Sequence, residues 1–127
     1  MFKDTKAFSG FAVDDLDVAK RFYGDTLGIE TDSEMGLLTL KLGGGARPTL
    51  IYPKPDFEPA TYTILNFPVA DIDEAVDALI ERGVAMEIYD RFGQDEKGIA
   101  RGDEGPPIAW FRDPAGHILS VLEAEGP

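Results

Sequence analysis

Phe11-Ala12-Val13-Asp14-Asp15-Leu16-Asp17-Val18-Ala19 is answered 56 positions later by Phe67-Pro68-Val69-Ala70-Asp71-Ile72-Asp73-Glu74-Ala75. Each stretch starts as a strand ending in Phe-x-Val and passes an Asp suited to cap a helix. It then enters an amphipathic run that closes at a glycine, Gly28 in the first and Gly83 in the second. An internal repeat of this length means two copies of one supersecondary unit. Leu16, Ala19, Phe22, Tyr23 and Leu27 recur at helical spacing, as do Ile72, Ala75, Val76, Leu79 and Ile80, so each helix lays one apolar face on a sheet.

Short strand-like pieces follow each helix. In the first half they are Ile29 to Thr31, Leu37 to Leu42 and Thr49 to Tyr52, with Gly43-Gly44-Gly45 as a turn. In the second half they are Ala85 to Tyr89, Ile108 to Phe111 and Ile118 to Leu122, with Asp113-Pro114-Ala115-Gly116 as the last turn. The sequence thus predicts an α+β fold, a single domain over 1–127 built from two β-α-β-β-β modules, one over about 7–52 and one over about 61–123. The prolines of Pro53-Lys54-Pro55-Asp56-Phe57-Glu58-Pro59 forbid helix and central strand, which makes 53–60 the linker. The stretch from Asp90 to Pro107 exceeds the usual loop length and reads either as a lid or as a long hairpin with a short strand near Ile99.

Composition narrows the function classes. With 43% hydrophobic and 28% charged residues in 127, the chain has enough apolar material for its own core. Its uncharged apolar runs are far shorter than the ~20 residues of a membrane span, and no apolar segment follows Met1-Phe2-Lys3-Asp4 as a signal peptide would require, so a cytoplasmic location is expected. The absence of cysteine removes disulfides, thiolate catalysis and Cys-ligated metals. A net charge of −12 repels nucleic acid and anionic lipid and favours cationic partners. Gly43-Gly44-Gly45 lacks the Lys and helix entry of a phosphate loop. Ser9 and Ser120 have no accompanying His base, so no catalytic residue is assigned.

Tandem modules with Phe22-Tyr23, Leu27-Gly28 at the first helix end and Asp113-Pro114-Ala115-Gly116-His117 in the last hairpin resemble the vicinal oxygen chelate superfamily. That superfamily includes glyoxalase I, extradiol dioxygenases, fosfomycin-resistance enzymes and bleomycin-resistance binding proteins. The resemblance covers roughly residues 7 to 123 and implies curved mixed sheets around a central cleft, helices outside, and a homodimer. In its metalloenzyme members one divalent metal is held by His, Glu or Gln from the first and last strands of each module. Those positions match Phe8, Leu50, Ile64 and Ser120, and only Ser120 carries an oxygen. Shifting each by one or two residues in either direction still brings in no imidazole or carboxylate. No metal and no cofactor is therefore expected. His117, the one histidine, reads as a structural residue beside the last turn.

Strand alternation puts Phe11, Val13, Leu65, Phe67 and Val69 on the helix side and the other parity toward the implied cleft. The expected ligand-contact set is Phe8, Leu50, Tyr52, Tyr62, Ile64, Asn66 and Ser120, to which the resemblance adds Ile108 and Trp110. An apolar, aromatic wall with a few polar groups is typical of a small-molecule pocket. The reading that fits is a metal-free binder of a small cationic or aromatic compound. The alternative is a metal-dependent lyase of glyoxalase I type, or a dioxygenase, whose site the residues do not display.

Overall fold

Asp15 and Asp71 start the two helices as the repeat requires. Each lies in extended backbone, and its carboxylate accepts from the amide three residues on, that of Val18 or Glu74. The computed structural model describes residues 1–89, 92–102 and 105–124. It divides into two units, Met1–Pro59 and Ala60–Pro127, and each is built around one of these helices.

In the first unit β1 (Ser9–Val13) leads to α1 (Leu16–Lys20), then β2 (Thr31–Glu34), β3 (Leu37–Leu42) and β4 (Arg47–Pro53). They form one sheet in the order β1-β4-β3-β2, with β1 parallel to β4 and the other pairs antiparallel. The expected single amphipathic run changes character midway: Arg21–Thr26 is a π-helical turn, closed by the Leu27 amide on the Phe22 carbonyl at 2.9 Å. The wider turn accommodates the adjacent aromatics Phe22 and Tyr23, with Tyr23 fully buried edge-on to Phe22 and packed on Phe11. Leu38, Leu40 and Ile51 are fully buried on the helix side of this sheet. The strand expected over Ile29 to Thr31 instead begins at Thr31 and runs on to Glu34, where the pair Met35 and Gly36, both at positive φ, turns β2 into β3.

In the second unit β5 (Thr63–Val69), α2 (Ile72–Glu81), β6 (Ile108–Arg112) and β7 (Ile118–Glu123) give a sheet ordered β5-β7-β6. Strands β5 and β7 are parallel, β6 and β7 antiparallel. Ile72 and Val76 of α2 pack with Ala109 and Val121 of the sheet and with Ile99, all essentially without solvent exposure. Burying side chains of this size stabilises the unit by about 1.5–3 kcal/mol each, so this cluster is its main cohesive term. The amide of Ile72 is also taken by the Glu123 carboxylate at 3.0 Å, which fastens the start of α2 to the end of β7.

The strand expected over Ala85 to Tyr89 is reduced to one bridge, Met86 with Phe111, and one bond from the Glu87 amide to the Trp110 carbonyl. The physical reason is a side chain. Gln94 accepts from the Tyr89 amide and donates to the Glu87 carbonyl, taking the backbone groups that a ladder would have used. Of the two readings of the long stretch, its described part takes the hairpin form: Gln94 bridges Ala100, Ala100 bridges Ile108, and Ile99 is buried. Its charges hold it down. Arg101 grips Asp73 of α2 through both carboxylate oxygens at 2.8 Å, and Lys97 meets Asp77 at 2.7 Å. The Asp95 carboxylate accepts from the Lys97 and Ile99 amides and shapes the turn. Asp103 and Glu104 lie outside the described residues.

Gly98 at that turn has φ +86°, and a Cβ there would lie 3.3 Å from both the Glu87 oxygen and the Met86 Cβ. Gly98→Ala should therefore destabilise the protein by at least ~1 kcal/mol in urea, through backbone strain and crowding together. Gly102→Ala, whose added methyl would meet nothing within 4 Å, is the control and should be near neutral.

Candidate functional site

Alternation along β7 gives each sheet residue its side. Leu119 and Val121 are buried together with Phe111 and Ala109, their partners across β6, on the side of α2. The opposite parity places Ser120 between Asn66 and Trp110 in one row of the far face. Leu122 lies between Pro68 and Ile108 in the next row, and Ile118 between Thr63 and Arg112 on the other side. The Ser120 hydroxyl donates to Asn66 Oδ1 at 2.6 Å, linking two residues 54 apart in sequence. It is wholly buried, whereas Asn66 is exposed.

Trp110 is the centre of an aromatic cluster that the sequence reading did not assemble. Phe92 stacks on it with centroids 4.9 Å apart and planes 35° apart. Tyr89 meets it edge-on at 5.6 Å and meets Phe92 edge-on at 6.0 Å. Tyr89 ends the expected strand that the structure reduces to one bridge, and Phe92 lies in no regular element, so neither was assigned to a sheet face. Beside the cluster Arg112 holds Glu87 through Nε and donates from Nη1 to the Gly116 carbonyl at 2.9 Å. The Glu87 carboxylate raises the pKa of this guanidinium, burial opposes it, and the nearby Tyr89 oxygen adds a smaller push upward.

The remaining expected residues are placed one by one. In the first sheet Leu50 and Tyr52 share the face opposite Ile51, paired to Gly10 and Ala12 of β1, with Leu50 half-buried and Tyr52 38% exposed. Phe8 precedes β1 and is 64% exposed, and Tyr62 precedes β5 and is 69% exposed. Ile64 falls at a β-bulge, and the partner it would have had in an unbroken ladder, Ile118, is paired to Thr63 instead.

The four positions matched to metal ligands offer three hydrocarbon side chains and one hydroxyl already bonded to Asn66. Such a set does not fit a divalent cation, which needs carboxylate, imidazole or several free oxygens. Among the described residues no group of three or more His, Asp or Glu converges on one point. His117 is buried and structural: Nδ1 accepts from the Ala60 amide at 3.1 Å, and the His117 amide donates to Asp113 at 2.8 Å. No helix is long and apolar enough to cross a membrane.

A family model for the glyoxalase/bleomycin resistance protein/dioxygenase superfamily matches residues 8–121. The chain belongs to that superfamily. No protein with a curated description matches it. Among solved structures it resembles a glyoxalase family protein from Enterococcus faecalis, at 25% identity and TM-score 0.70, covering 97% of this chain and all of that one. It shares the fold of TnmS3, an antibiotic binding protein from Streptomyces sp. CB03234, at 21% identity and TM-score 0.69, over 96% and 98% of the two chains. It also shares the fold of the fosfomycin resistance protein FosX from Listeria monocytogenes, at 16% identity and TM-score 0.70, over 93% and 91%. The superfamily spans enzymes and binders, so membership leaves the choice to the residues.

The Ser120–Asn66 contact gives a first check on this face. Ser120→Ala should cost about 1 kcal/mol, the net worth of a hydrogen bond whose other partner can turn to water. A double-mutant cycle with Asn66→Ala in urea should return a coupling of at least ~0.5 kcal/mol, and a coupling of zero would mean the two side chains act independently.

Proposed function

We propose that the protein is a metal-free, bleomycin-resistance-like binder of a small cationic or aromatic compound, a cytoplasmic homodimer that uses no cofactor. Its two tandem modules, joined by the linker 53–60, carry the ligand-contact set named from the sequence. The observation that carries this reading is the donor set: Phe8, Leu50 and Ile64 are hydrocarbon where the superfamily's metalloenzymes place ligands, and the Ser120 oxygen is bonded to Asn66. What those positions lack in donors the far face of the second sheet supplies in aromatic surface, with Trp110 flanked by Phe92 and Tyr89. An indole gives a flat face for stacking and an N–H that seeks a partner. Antibiotic binding by a protein of the same fold is in keeping with this.

The test is elemental analysis of protein purified without chelator, then thermal shift with Ni, Zn, Mn and Fe(II), since a ligand of the native state raises the melting temperature by mass action. The expected result is no stoichiometric metal and no shift. One metal per chain with a matching shift would return the protein to the lyases and dioxygenases and overturn the reading. Trp110→Ala should preserve the fold and weaken binding of a stacking ligand by at least ~1 kcal/mol. Equal affinity would remove this indole from the site. Light scattering should report twice the monomer mass.

A further inference from the structure

Tyr89 Oη is the one buried side-chain oxygen or nitrogen among the described residues that has no hydrogen-bond partner. A buried hydroxyl without a partner costs free energy, and native structures keep such groups where something else needs them. Arg112 lies close enough for its charge and a weak hydrogen-bond interaction to reach the Tyr89 oxygen, but its well-formed bonds go to Glu87 and the Gly116 carbonyl, and the phenol O–H has no acceptor. The hydroxyl belongs to the ring that meets both Trp110 and Phe92 edge-on. Phe92, stacked on Trp110 at 4.9 Å, is itself 41% exposed and is followed by Gly93 at φ +58°.

We infer that a planar aromatic ligand carrying an acceptor oxygen takes Phe92's place on Trp110, and that the oxygen receives the Tyr89 hydroxyl proton in a hydrogen bond beside Arg112. This deepens the proposed function and rests on it. Three features of the page combine here. The Phe92–Trp110 stack has the geometry that a ligand ring would reproduce. The unpartnered hydroxyl is carried by the ring that meets both members of that pair edge-on. Arg112, the charged strand residue of this face, is paired with Glu87, so the preference for an acceptor oxygen comes from the phenol, whose oxygen faces the guanidinium and whose O–H is left to donate. The inference selects carboxylates, phenolates and carbonyls on fused rings over ammonium compounds of the same shape.

Trp110 is the single tryptophan of the chain, so its emission reports this cluster and nothing else. The probes are 1-naphthoate and 1-naphthylmethylammonium, titrated by calorimetry and by Trp110 emission against the wild type, Tyr89→Phe and Phe92→Ala. The wild type should bind 1-naphthoate at least tenfold more tightly than the ammonium probe. Tyr89→Phe should lose about tenfold toward 1-naphthoate and little toward the ammonium probe, with the unliganded melting temperature unchanged or raised, because only an unsatisfied group has been removed. Phe92→Ala should bind 1-naphthoate no more weakly than the wild type. Naphthoate binding that ignores Tyr89→Phe, or a tighter ammonium complex, would overturn the inference and leave the binder reading in place. A lowered melting temperature for Tyr89→Phe would show that the hydroxyl is structural and would overturn it as well. No binding of either probe, with Trp110 emission unmoved, would count against the binding reading itself.

Discussion

Everything at the candidate site hangs on the two-residue period of a β-strand. In β7 Leu119 and Val121 must reach the side of α2, where the second unit has its core, and the pleat then obliges Ser120 to point the other way. Pairing extends that obligation sideways to Asn66 and Trp110. A register slip of one residue would put Ser120 into the core and Leu119 on the far face, and the buried apolar cluster makes such a slip costly. The candidate face is thus held in place by the packing of the other face.

A second layer of order comes from side chains that replace backbone. Gln94 satisfies both Tyr89 and Glu87, so residues that could have formed a strand instead form a fixed irregular segment. That segment brings Tyr89 to Trp110. The turn beyond it is tied to α2 by Arg101 and Lys97, pairs near the surface that add little energy but define where the turn rests, while the burial of Ile99 supplies the cohesion.

Charge acts at two ranges. The surplus of acidic residues sets the long-range field and disfavours polyanions. At the cluster Arg112 is paired with Glu87, so the two act there as a short-range dipole rather than as a net charge. Superfamily membership is compatible with chemistry or with binding alone. The proposal of binding rests on the donor set at Phe8, Leu50, Ile64 and Ser120.

The sequence by itself determined the repeat, the capped helices, the α+β class and the family, because caps, helical spacing and strand alternation are local patterns that short-range forces read directly. It also settled the hydrocarbon character of the four matched positions, since side-chain chemistry needs no coordinates. Parity sufficed to put Asn66 and Ser120 on one face, and the resemblance added Trp110. It failed at Ile64, where a bulge breaks alternation, and at the Ala85 to Tyr89 strand, where one glutamine displaced a ladder. Only the tertiary structure decided that Tyr89 and Phe92 meet Trp110, that Ser120 spends its hydroxyl on Asn66, and that Arg112 stands beside an unpartnered phenol. Those contacts join residues far apart in the chain or lying in irregular backbone, where no periodicity exists to be read and the outcome depends on how side chains compete for the same backbone groups and the same space.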